Sequence, residues 1–130
     1  GAELAGERIS VALDTQDQED EHSCFSDNTH RDIINDAIAI QNVYEGRYGT
    51  LEGPGIYALV AARDQALADR LRAEIQASVD LAQAIPAPFD RAIVEQRDAV
   101  EATVDALRKQ ADTIVEVATL FDIELALETL

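Results

Sequence analysis

A chain of 130 residues that is 47% hydrophobic carries enough apolar material for one packed domain, and 26 Asp plus Glu against 10 Lys plus Arg leave a net charge of −16. So acidic a chain argues against nucleic acid or anionic membrane as partners, since both demand a basic face, and suits cations, cationic partners or a salty medium. No apolar run approaches the roughly 20 residues of a membrane span, no signal-peptide pattern is present, and one cysteine, Cys24, excludes an internal disulfide.

With no Met and a Gly1-Ala2 start, the chain reads as a processed form or a piece of something longer, Gly1 being consistent with a tag remnant. Leu4, Ile9, Val11, Ala12 and Leu13 open an amphipathic helix whose apolar pattern stops after Leu13. In the acidic run that follows, helical spacing would put Asp14, Asp17 and Glu21 on one face with Gln18 and His22 beside it. The chain then turns between Cys24 and Thr29, where Ser26, Asp27 or Thr29 can cap the next helix. That helix, about Asn28 to Tyr48, is apolar over too wide an arc for a surface helix. It is either buried on most sides or packed against something outside this chain.

The breakers Gly46, Gly49, Gly53, Pro54 and Gly55 mark a loop, with Gly49 placed as the helix C′ residue, and a short helical piece spans Ile56 to Ala62. Leu67, Leu71, Ile75, Val79, Ala82 and Ile85 form the stripe of a helix capped by Asp64 and ended by Pro86 and Pro88. A last helix runs from about Asp90, its N-cap, to Phe121, with a stripe from Ile93 through Arg97, Val100, Val104, Leu107, Ala111, Ile114 and Ala118. The proline corner between them is short, so these two helices run antiparallel as neighbours. There is no internal repeat. Every segment reads helical, which makes residues 1–130 one all-α domain, an up-and-down helical bundle.

Both histidines, His22 and His30, flank the turn and stand among carboxylates. Imidazole with carboxylate suits zinc, iron or manganese. The bland alternatives are a solvated face for 14–21, a capping run for Ser26-Asp27-Asn28-Thr29, and structural hydrogen bonding for each His. Neither His-x-x-x-His nor His-x-x-Glu occurs, so spacing alone gives little support to a metal. Phosphate-binding glycine motifs, a Gly-x-Ser-x-Gly elbow and a calcium loop are absent, and nothing orients Cys24 towards His22 or His30 as a nucleophile pair. Cys24 itself reads as a small buried hydrophobe.

The string from Asp17 to His30, Asp-Gln-Glu-Asp-Glu-His-Ser-Cys-Phe-Ser-Asp-Asn-Thr-His, resembles the second half of imelysin-family proteins, as do Ile40-Gln41-Asn42-Val43-Tyr44-Glu45-Gly46-Arg47-Tyr48 and Ile85-Pro86-Ala87-Pro88-Phe89-Asp90. The resemblance covers essentially the whole chain. It implies a bacterial periplasmic or surface-anchored protein, often a lipoprotein anchored through an N-terminus outside this chain, tied to iron uptake and iron-regulated expression. It also implies two related helical bundles with a polar site between them, this chain being the C-terminal half and the N-terminal half its partner. The family is catalogued as metallopeptidases on a Gly-x-His-x-x-Glu motif, which this chain lacks, so no catalytic residue is assigned. Carried over by the motif, Glu21, His22, Asp27 and His30 become candidate ligands for iron or zinc, with Ser26, Asn28, Thr29 and Asp20 as supporting polar groups. A scaffold or partner-binding bundle is the third reading.

Overall fold

A computed structural model describes residues 3–125; Gly1, read above as a remnant, lies outside them. Six α-helices dominate: α1 (Val11–Thr15), α2 (Thr29–Glu45), α3 (Ile56–Ala61), α4 (Gln65–Ala84), α5 (Phe89–Glu95) and α6 (Arg97–Leu120). The all-α bundle is confirmed, with one addition. The glycine-rich segment after α2 folds back as a two-stranded antiparallel hairpin, β1 (Arg47–Tyr48) with β2 (Leu51–Glu52).

The helices alternate in direction. Arg63 donates to Leu120 O, Arg70 pairs with Glu116 and Glu74 faces Lys109, so rising numbers on α4 meet falling numbers on α6. Gln41 with Gln76 and Tyr44 with Ala68 make α2 antiparallel to α4 in the same way. Every residue of the α4 stripe, from Leu67 to Ile85, is buried, and Asp64 accepts a hydrogen bond from Leu67 N–H at 2.9 Å as the cap that ties down the first turn. The core divides into two apolar clusters along the bundle. One gathers Ile9, Ile33, Phe89, Val100 and Leu107; the other gathers Tyr44, Val60, Leu71, Ile75 and Val117.

Four local expectations are corrected. The first helix is wound as a π-helix over Leu4–Ser10 before continuing as α1, and this five-residue spacing lets Arg8 pair with Glu3 at 3.0 Å and Ser10 donate to Ala5 O. It stops at Thr15, where Gln16 turns left-handed at φ 55°. A short 3-10 turn (Gln18–Asp20), capped by Asp17, follows, so Asp14, Asp17 and Glu21 do not share a helix face. The α2 helix is closed by Gly46 at φ 77°, not by Gly49; Gly49 sits in the hairpin turn, also at positive φ. The last helix is two: α5 is entered from Pro88 rather than capped by Asp90, and the backbone breaks at Gln96. Arg97 then turns to the end of α1, donating to Leu13 O at 2.8 Å, where a helix-terminal carbonyl needs a partner.

The wide arc of α2 resolves into two faces. Ile33, Ala37 and Tyr44 are buried against the bundle, while Val43 stays 64% exposed on the outer side. Among the described residues no helix is long and apolar enough to cross a membrane.

Candidate functional site

The polar corner between α1 and α2 is built on a chain that has left the helix. Glu21 is extended (φ −72°, ψ 153°), so its side chain and that of His22 project to opposite sides. Glu21 goes inward and is 5% exposed; His22 goes outward to the edge of α2 and is half-buried.

The outward side holds the better-formed cluster. Asp32 and Asp36 stand four residues apart on α2 and so share one face, with Asn28, the residue that caps the helix, four before Asp32. The His22 ring lies across them: Nδ1 is 3.5 Å from Asp32 Oδ2 and Nε2 is 3.7 Å from Asp36 Oδ2. Ser23 Oγ donates to Asp32 Oδ2 and lies 3.2 Å from His22 Nδ1, while Asn28 Nδ2 donates to Asp32 Oδ1 at 3.5 Å. Backbone geometry fixes the loop on which these sit, because Ser23 N–H donates to Thr29 Oγ1 at 3.1 Å.

The inward side is electrostatically uncomfortable. Neither carboxylate oxygen of Glu21 has a well-formed hydrogen bond. Burial pushes its carboxyl above the usual carboxylate range; the neighbouring Thr29 hydroxyl opposes this, and the charges of Asp90 and Asp27 add to the upward push. His30 Nδ1 is likewise buried with no hydrogen-bond partner among the described residues.

The sequence-predicted site is therefore brought together only in part. Glu21 and Thr29 are buried side by side, and His22 faces carboxylates. Asp27 is exposed and left-handed at φ 50°, Asp20 and Ser26 are exposed, and the cap of α2 is Asn28 without a side-chain cap bond. Cys24 is half-buried on the turn rather than in the core. Asp32, Asp36 and Ser23 were missed. The signal for the two aspartates was their spacing of four on α2, which places them where a preceding turn would lay a side chain.

One cavity opens at this corner and a groove lies farther along α2. The cavity, of about 390 Å³, lies between the π-helical segment and α2, lined by Glu3, Leu4, Arg8, His22, Asp36, Ala39 and Ile40. The groove, of about 650 Å³, has an apolar lining from α2, α3, α4, α6 and the segment after α6, and it also includes Ala39 and Ile40. Ala39 and Ile40 are thus a wall common to both.

The family model for imelysin, described as peptidase M75, matches residues 2–114. The chain belongs to the imelysin family. No curated protein matches it. For this imelysin domain the metal expectation meets a geometric obstacle. Among the described residues no three His, Cys, Asp or Glu side chains form a group that would hold a metal ion, and both His22 nitrogens are already turned to carboxylates. The corner by itself does not fit iron or zinc, which take more donors than it converges.

Proposed function

We propose that this imelysin domain is a ligand-binding component rather than a peptidase in its own right, working outside the cytoplasm in bacterial iron uptake. Its polar corner supplies part of a site, and a second bundle of the longer protein supplies the rest. The observation that carries this reading is the His22 ring laid between Asp32 and Asp36 at a cavity that shares the wall residues Ala39 and Ile40 with an exposed apolar groove. Charge and hydrogen-bonding groups stand on one side of Ala39 and Ile40 and an exposed apolar face on the other, an arrangement suited to a site completed by a docked partner. The carboxylates and imidazole are hard and borderline donors, compatible with iron when further donors are added.

The test is elemental analysis with ferric and zinc titration, on this chain and on an imelysin protein in which the second bundle is joined to it. Stoichiometric metal in the joined protein alone, reduced about tenfold in affinity or more by His22→Ala, supports the shared site. Metal in neither form removes the metal reading. The family's peptidase label gives the competing reading; chelator-sensitive cleavage of a peptide by the joined protein would establish it instead.

A further inference from the structure

We infer that the helix received by the apolar groove carries basic residues at both ends of its apolar stripe; this rests on the reading above that the groove docks another part of the protein. The groove is open along its length rather than enclosing. Its own walls stand in solvent, with Val43 64%, Leu59 62% and Ile123 55% exposed, whereas a ligand pocket encloses most of what it holds. Four helices contribute to it, and a trough open along one side between helices is the seat of a further helix, which packs about 8–10 Å from its neighbours.

Charge sets the kind of helix. At one end Asp36 stands one helical turn before the lining residues Ala39 and Ile40 on α2, with Asp32 a turn further back; at the other, Asp122 and Glu124 alternate in the chain with the lining residues Phe121, Ile123 and Leu125. Among the described residues neither Asp122 nor Glu124 pairs with a cation, and Asp36 faces only His22. The arginines around the groove are committed elsewhere. Arg8 is on Glu3, Arg70 on Glu116, Arg72 over the Tyr57 ring, and Arg63 over the Phe121 ring with a hydrogen bond to Leu120 O. Carboxylates therefore flank both ends of a dry floor, on a chain of net charge −16. A helix with acidic ends would meet like charge twice, and one with Lys or Arg there would be steered in and held.

The test uses the full 130-residue chain and two synthetic helical peptides of about 18 residues. Both carry the same leucine stripe, one with lysines at both ends and the other with glutamates, and binding is read by fluorescence anisotropy. The lysine peptide is expected to bind at least about tenfold tighter than the glutamate peptide and to weaken as salt rises from about 0.05 to 0.5 M. Val43→Asp separates seating from mere attraction to an acidic protein: seating weakens, whereas simple charge attraction would strengthen. The triple change Asp36→Asn, Asp122→Asn, Glu124→Gln should cost the lysine peptide about fivefold or more and leave the glutamate peptide no worse. Equal binding of the two peptides, both lost in Val43→Asp, overturns the charge inference and leaves the docking reading standing. No effect of Val43→Asp on either peptide overturns both. Tighter binding of both peptides after deletion of residues 126–130 assigns the groove to this chain's own end, which also overturns the inference.

Discussion

Glu21→Gln is the change that most directly tests the account of the polar corner. Glu21 is 5% exposed, its two oxygens lack well-formed hydrogen bonds, and no cation pairs with it among the described residues. A buried polar group left unsatisfied costs about 1–3 kcal/mol, and more when it is charged. The amide keeps the shape and sheds the charge while leaving its own polar atoms imperfectly paired, so the expected gain at neutral pH is about 1 kcal/mol, the low end. With an unfolding entropy of about 2.1 cal/mol/K per residue, a domain of this length gains about 4 °C in Tm per kcal/mol. The pH dependence has a definite sign. The folded carboxyl titrates above its unfolded counterpart, so the folded state holds the proton longer, and wild-type stability falls as pH rises through that window. Well below pH 4 both states are protonated and the advantage of Gln disappears. Thermal melts of both proteins by circular dichroism, from about pH 3.5 to 8, measure this. A lower Tm for Glu21→Gln at pH 7.5, or a gain equal in size at every pH, would refute the claim that an uncompensated buried charge sits at this corner.

The remaining predictions bear on the frame that holds the corner. Gly46→Ala should cost at least about 2 kcal/mol by denaturant unfolding, because φ 77° is left-handed and an added Cβ would strike Gly53 O and the Gly55 backbone. Leu107→Ala, in the first core cluster and fully buried, should cost about 3 kcal/mol in the same assay. Tyr44 donates to Ala68 O at 2.9 Å, and burial raises its hydroxyl to about 12, with Tyr57 and Asp69 adding to the rise and Arg72 opposing it. The unfolded chain loses that proton first, so stability should fall as pH climbs from about 10 towards 12, and Tyr44→Phe should flatten this slope in alkaline melts.

The bundle was legible because its determinants are local. The α4 stripe runs unbroken for five turns, Asp64 stands where a cap belongs, and Pro86 and Pro88 punctuate the corner, all features that act within one helix. The division of the last helix was not legible. Arg97 falls in step with the stripe, but its position is decided by a carbonyl 84 residues away, at Leu13, and no periodicity carries that information. The π winding of Leu4–Ser10 was hidden for a related reason: five-residue pairs such as Glu3 with Arg8 count against an α-helix only once the backbone is seen. At the site, the histidine was found and its partners were not. Reading along the chain ties His22 to nearby Glu21 and Asp27, whereas the turn folds it over Asp32 and Asp36 on the next helix.

Two buried carboxylates are treated differently by the fold. Glu74, 8% exposed on α4, has Lys109 at 3.6 Å from one oxygen, so its charge is at least partly answered within the fold. Glu21 is buried as deeply, has Asp90 and Asp27 rather than a cation acting on it, and is the chain neighbour of His22, whose ring faces two aspartates on the opposite side of the extended chain. A scaffold would lose nothing by carrying an apolar residue at 21, since replacing an unpaired buried charge costs a fold nothing. A binding site is different: a carboxylate held ready and poorly compensated gains most when a cationic group arrives to pair with it, and strain of this kind collects where ligands bind. The purely structural reading accounts for Thr29 and Ser23, which bond to each other, and for Asn28, which donates to Asp32. It leaves Glu21 without a partner, which is what the proposed binding role would supply.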